Sequence, residues 1–126
     1  MITWSHVAHF SPLEFSRPEC LRQEMILKLD ALREACGFPI VITSSWRDRE
    51  HNAAVGGVND SSHCLAEDGL YSGVDIATHN IGSADLYKLV RNALTIGYNR
   101  IGIYPRHIHL DVESRLPQQV IWVGKD

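Results

Sequence analysis

His107 and His109 stand two apart in the run His107-Ile108-His109-Leu110-Asp111-Val112. On a strand, alternate side chains share a face, so both imidazoles would point the same way. One strand then offers a metal ligand beside an acid–base group. An edge strand carrying two surface histidines would read the same. His63 lies in a polar stretch, and Asp75 begins or lies within the apolar run that ends at Ala77. A loop His, a strand Asp and a strand His could converge as three ligands. Catalytic zinc sites keep three protein ligands and leave the fourth position to water. Zinc lowers that water's pKa and polarises a carbonyl oxygen. A nearby base and a cation for the developing oxyanion would complete a peptidase. The same spacing also suits a solvated loop His and an Asp that merely caps or pairs.

The positioning elements follow from patterning. Residues 1–17 read as a loose N-terminal segment with a short helical turn at Ser11-Pro12-Leu13-Glu14-Phe15. Pro18 suits a first helical turn. Leu21, Met25, Leu29 and Leu32, with Ile26 and Ala35, recur at three- and four-residue spacing, which predicts an amphipathic helix over 18–36 ended by Gly37 and Pro39. Ile40-Val41-Ile42 predicts a buried strand, and Asp48 to Val55 a short helix closed by Gly56-Gly57. Residues 56–73 form a long loop, a feature that is often functional. Val74 to Ala77 is a strand. Ser83 caps a helix carrying Leu86, Leu89, Val90, Ala93 and Leu94 and ended at Gly97. Arg100 to Tyr104 and His107 to Val112 form a hairpin around Pro105-Arg106, and Val120-Ile121-Trp122-Val123 is a last strand. Interspersed helices and strands with a hairpin predict an α+β fold with a mainly antiparallel sheet and flanking helices.

Several short motifs occur in a fixed order. They are Ile42-Thr43-Ser44-Ser45-Trp46-Arg47, His51-Asn52, Val55-Gly56-Gly57, Ser61-Ser62-His63 and Gly73-Val74-Asp75-Ile76, then Arg100-Ile101-Gly102-Ile103-Tyr104-Pro105 and the run from His107. This set resembles the zinc D-Ala-D-Ala carboxypeptidases, which share a fold with the hedgehog signalling domain. Phe10-Ser11-Pro12-Leu13-Glu14-Phe15 and Leu29-Asp30-Ala31-Leu32-Arg33 resemble the small, often virus-encoded, single-domain members. The resemblance implies that His63, Asp75 and His109 ligate Zn2+. It implies that His107 is the catalytic histidine, assisting the zinc-bound water or holding the oxyanion. Arg47 would support substrate binding and the transition state, and Ser61 would offer a substrate-side hydrogen bond. A surface ion pair of Arg47 with Asp48 or Glu50 is the plainer alternative. Asp111 either orients a ligand histidine or faces outward. Trp46 reads as packing.

One departure from the family pattern matters. Eleven residues separate His63 from Asp75, where the family usually has a shorter spacing. The insert falls within Cys64-Leu65-Ala66-Glu67-Asp68-Gly69-Leu70-Tyr71-Ser72. Loops accept extra residues at low entropic cost, but the cleft could be reshaped. Glu67, Asp68 and Tyr71 would line it or be solvated. Cys64 is a rival ligand ranked below Asp75, because adjacent residues seldom face one metal from an extended chain. His6, His9 and His79 read as background, His51 as structural support behind the loop, and Cys20 and Cys36 as packing.

Composition bounds the rest. A chain of 126 residues makes one domain, 1–126, that can build its own core. It is 44% hydrophobic and 21% charged, as globular chains are. A net charge of −3 with no basic cluster argues against a nucleic-acid partner. No apolar run long enough for a membrane span and no signal peptide are visible. The expectation is a monomer made in the cytoplasm that reaches the cell wall by export, lysis or a virion route. Three cysteines without a CxxC pair support neither a disulfide framework nor a thiolate zinc site. Two functions remain: a zinc metallopeptidase acting on a peptidoglycan peptide, and a non-catalytic zinc-containing peptidoglycan-binding or virion structural module. The inserted loop sustains the second.

Overall fold

A computed structural model describes residues 2–55 and 61–125. Helix α1 (Gln23–Cys36), strand β1 (Ile42–Ser44), helix α2 (Arg49–Ala54), strand β2 (Gly73–Ala77), helix α3 (Ser83–Ile96) and strands β3 (Arg100–Ile103), β4 (His107–Asp111) and β5 (Val120–Val123) follow one another along the chain. The strands form one sheet in the order β1-β2-β4-β3-β5. Three of its pairings are antiparallel, and β3 with β5 is parallel. The fold is α+β, as expected, with a mixed sheet rather than a purely antiparallel one. No described helix is long and apolar enough to cross a membrane.

Alternation divides the sheet chemically. Val74, Ile76, Ile101, Ile108 and Leu110 join one buried cluster with Met25, Ile26, Leu29 and Leu32 of α1 and Leu89 and Ala93 of α3. The intervening positions of β2 and β4 carry Asp75, His107, His109 and Asp111 on the other face. Register completes the arrangement, because Asp75 lies directly opposite His109, Gly73 opposite Asp111 and Ala77 opposite His107. Opposed residues of an antiparallel pair have Cβ atoms about 4.5–5.5 Å apart, close enough for two side chains to share an ion.

The predicted helix over 18–36 is interrupted. Pro18–Cys20 is a 3-10 turn, Leu21 and Arg22 are extended, and α1 starts at Gln23. The cause is the insert. Tyr71 N donates to Cys20 O at 2.8 Å and Arg22 N donates to Tyr71 O at 2.9 Å, so those backbone groups are taken by a β-bridge. The expected strand over 40–42 shifts to Ile42–Ser44, where β2 offers partners, and its pairing is irregular between Ile42 and Ser44. Asp48 caps α2, its side chain accepting from His51 N at 2.6 Å. The closing Gly56-Gly57 lies outside the described residues. Gly82, not Ser83, is the cap of α3. Both long helices end, as expected, on a left-handed glycine, Gly37 and Gly97.

The N-terminal segment is packed rather than loose. Val7, Phe10 and Phe15 are buried, and the Asp30 carboxylate of α1 accepts from Ala8 N and His9 N at 3.0 and 2.8 Å.

The insert folds back onto this segment. Arg22 holds Asp68 through two hydrogen bonds of 2.8 and 3.2 Å and donates to Ser72 Oγ at 2.9 Å. Tyr71 is fully buried, and its hydroxyl donates to Ser16 O at 2.7 Å. Glu67 stays exposed. The insert is thus partly a core element, which gives a clear expectation for thermal or denaturant unfolding. Tyr71→Ala should lower stability by about 3–5 kcal/mol, as large-to-small core changes do. Glu67→Ala should stay within about 0.5 kcal/mol.

Candidate metal centre and active-site cleft

His63, Asp75 and His109 are buried together. His63 Nε2 lies 3.1 Å from Asp75 Oδ1 and 3.2 Å from His109 Nδ1, and the third side, His109 Nδ1 to Asp75 Oδ1, is 3.0 Å. Tetrahedral zinc with bonds of about 2.0–2.1 Å has ligand–ligand edges of about 3.3 Å, so the triangle is close to a preformed face.

The hydrogen bonds behind each ring set which nitrogen faces inward. His63 Nδ1 is 2.5 Å from Ser45 O. A carbonyl only accepts, so Nδ1 carries the proton and Nε2 presents a lone pair. His109 Nε2 donates to Asp111 Oδ2 at 2.7 Å, which turns Nδ1 toward Asp75. Ser62 Oγ donates to the same carboxylate oxygen at 3.1 Å, and Arg100 Nε donates to Asp111 Oδ1 at 2.8 Å. Asp111 is therefore the orienting residue and does not face outward. Such partners of ligand histidines tune metal affinity.

Charge follows this layout. Burial pushes the pKa of His63 down and outweighs its bond to Asp75, favouring the neutral ring. Burial opposes charge on His109 too, but hydrogen bonds to Asp111 and Asp75 win and raise its pKa. Burial would raise the pKa of Asp75, yet the hydrogen bond from His109 and the adjoining His63 ring hold it well below the carboxylate range. Asp111 is lowered in the same way, the bond from His109 overcoming its burial. The triangle thus accommodates one positive centre, either a proton on His109 Nδ1 or a cation shared by all three atoms. Two imidazoles and a carboxylate suit zinc, so the donor set fits the ion that the sequence implied.

Asp75 Oδ2 points the other way, accepting from Arg47 Nη2 at 3.1 Å and lying 3.7 Å from His107 Nε2. Arg47 also donates to Ser44 Oγ and to Asn52 Oδ1, each at 3.3 Å. Its ion pair is with the candidate ligand, not with Asp48 or Glu50. Asn52 is buried while His51 is exposed, so the support expected of His51 comes from its neighbour. Ser61 is buried, and its Oγ accepts from His63 N at 3.2 Å. His6, His9 and His79 are exposed.

These groups surround a cleft of about 330 Å³ lined by Arg47, Ser61, His107 and the three candidate ligands, with Tyr104, Leu116 and Trp122 among its other walls. None of Glu67, Asp68 and Tyr71 lines it. Cys64 is buried but outside the convergent ligand group, and burial raises its thiol pKa, disfavouring the thiolate a metal needs.

Sequence reasoning missed the contributions of Ser62, Arg100 and Trp122, and two glycines. A Cβ on Gly73 would stand 2.3 Å from Ser62 Oγ, and one on Gly102 would stand 2.6 Å from the Trp122 ring. Those glycines let Ser62 reach Asp111 and let Trp122 lie against His109, their ring centroids 5.6 Å apart. A glycine in a strand is the local signal for such an approach.

A family model described as peptidase M15 matches residues 8–111. The chain belongs to the peptidase M15 family. This is the zinc D-Ala-D-Ala carboxypeptidase-like family, so the fold carries a metallopeptidase and the buried triangle can bind its metal. No curated protein matches the chain. The matched segment begins in the N-terminal segment and ends at Asp111, so it contains all three triangle residues together with Arg47, Ser61 and His107.

Metal binding at this site must expel the proton that Asp75 and Asp111 help His109 to retain. Because the pKa of His109 is raised, that proton persists above the ordinary histidine range. Apparent zinc affinity should therefore fall as pH is lowered through the raised pKa. Calorimetry in buffers of different ionisation enthalpy should show proton release on binding below it. Asp111→Asn should weaken zinc about 10- to 100-fold.

Proposed function

We propose that the chain is a zinc metallopeptidase that hydrolyses a peptide bond in the stem peptides of bacterial peptidoglycan, in the manner of D-Ala-D-Ala carboxypeptidases. The observation that carries this reading is the triangle of His63 Nε2, Asp75 Oδ1 and His109 Nδ1, each oriented from behind, at the wall of an open cleft. The motif order that resembles the D-Ala-D-Ala enzymes supports the substrate class.

A bound zinc ion supplies Lewis-acid polarisation of the scissile carbonyl and acidifies a water. The remaining work belongs to side chains. His107 Nε2, beside Asp75 Oδ2 on the cleft wall, takes the proton that the nucleophilic water loses and returns it to the leaving amine. Arg47 uses three acceptors to fix its plane, and a guanidinium has five N–H donors. The rest are available to the substrate's terminal carboxylate or to the developing oxyanion. Ser61 Oγ accepts a backbone N–H and keeps its own proton to donate to a substrate oxygen. Leu116 and Trp122 give the cleft an apolar wall suited to a small aliphatic side chain such as that of alanine.

The binding-module alternative rested on an insert that could reshape the cleft. The insert is docked on Ser16, Cys20 and Arg22 instead, and no observation now favours that alternative.

Mass spectrometry of purified sacculi treated with zinc-loaded protein should detect released D-alanine or a short peptide. No release from sacculi or from soluble stem peptides would remove the substrate assignment. His107→Ala should lower kcat about 100- to 10,000-fold with zinc content unchanged, and an undiminished rate would remove its catalytic role. Arg47→Lys keeps the charge but loses the planar fork, so it should lower kcat/KM more than tenfold.

A further inference from the structure

We propose that Tyr104 is a positioning residue for His107, clamped in place by the β5 strand. This rests on the reading of His107 as the catalytic acid–base group. The Tyr104 ring stacks on the His107 imidazole with centroids 4.5 Å apart and planes 8° from parallel. The two residues flank the β3–β4 turn, where Tyr104 N donates to His107 O at 3.0 Å. Among the described residues, His107 is otherwise weakly held. Its side chain is 23% exposed, and its nearest ionic partner, Asp75 Oδ2, is 3.7 Å away and already accepts from Arg47. A partly exposed imidazole without a short hydrogen bond has its plane set by packing, and the stacked phenol supplies that packing.

Tyr104 is itself fixed from two sides by β5 and the residue after it. Trp122 Nε1 donates to the Tyr104 hydroxyl at 2.9 Å, and an indole N–H can only donate. Arg100 stands over the Trp122 ring, 5.1 Å from its centroid, and so braces the indole. The phenol ring lies directly on Gly124, where an added Cβ would meet Tyr104 Cε1 at 2.1 Å and Cδ1 at 2.6 Å. Gly124 has no positive φ, so the space it leaves, and not its backbone, is what matters. Trp122 and Gly124 both lie beyond residues 8–111, the segment that matches the family. The β5 side of the clamp thus lies outside the matched segment, and Tyr104 and Arg100 lie within it.

The test is a double-mutant cycle in the zinc-loaded full chain, with release from sacculi as the rate, alongside NMR of the His107 ring protons. His107→Ala alone tests the underlying reading: a parental rate there defeats the role of His107, whatever Tyr104 does. Given a loss in that variant, Tyr104→Leu should lower kcat about tenfold with KM within twofold and zinc content unchanged. In the His107→Ala background it should lower kcat less than twofold further. Tyr104→Phe keeps the stack and should retain most of the rate. Gly124→Ala, whose methyl occupies the ring's place, should reproduce the Tyr104→Leu loss from outside the cleft. The His107 ring protons should lose their upfield ring-current shift in Tyr104→Leu and Gly124→Ala but keep it in Tyr104→Phe. This last readout needs no substrate. An equal loss of kcat in both backgrounds, or ring shifts indifferent to Tyr104→Leu, would overturn the proposal.

Discussion

Three electron-rich atoms held within 3.0–3.2 Å of one another are the constraint around which this fold is arranged. Left without a positive charge between them, Asp75 Oδ1, His63 Nε2 and His109 Nδ1 would repel. The protein nevertheless holds each with a partner on its far side: Arg47 for Asp75, the Ser45 carbonyl for His63 and Asp111 for His109. Those partners are themselves held, Arg47 by Ser44 and Asn52, and Asp111 by Ser62 and Arg100. Among the described residues no buried side-chain nitrogen or oxygen lacks a hydrogen bond. A polar cluster this dense is tolerable in a buried setting only when every member is satisfied.

The sheet makes the cluster possible. Antiparallel register sets Asp75 against His109, and alternation keeps Val74, Ile76, Ile108 and Leu110 on the helix side. The insert between His63 and Asp75 adds chain without adding disorder to the site. Its Tyr71 enters the core and bridges Leu21, and Ser72 N donates to Ser62 O at 3.0 Å. The loop that carries His63 is thereby tied to the same body as the strands that carry the other two ligands.

Much of this was legible in the residues. The HxH pair on an alternating run, the Ser-x-His element and the Gly-Val-Asp run left the triangle one reading among others, and the family resemblance implied it. The apolar periodicities placed both long helices and every strand to within a few residues. What escaped depends on contacts between distant segments. Nothing local to Cys20 and Arg22 announces that Tyr71 will claim the carbonyl of one and the N–H of the other and cut the helix. Ser62, adjacent to the noticed Ser61, acquires its role only because Gly73 leaves room opposite Asp111. Trp122 reads as one more apolar strand residue until the parallel β3–β5 pairing sets it against Gly102. The His51-Asn52 motif reads as structural support, and only burial shows that the amide of Asn52 supplies it. Asp111 was open between two roles because alternation gives its face but not what covers that face.

The central claim is that one metal ion sits on two imidazoles and one carboxylate, with no sulfur. X-ray absorption at the zinc edge of the zinc-loaded chain tests it directly. The account predicts one zinc per chain with nitrogen and oxygen scatterers at about 2.0–2.2 Å and an imidazole signature from two histidines. A sulfur scatterer at about 2.3 Å, which would place Cys64 on the metal, or a chain that retains no zinc, would contradict it.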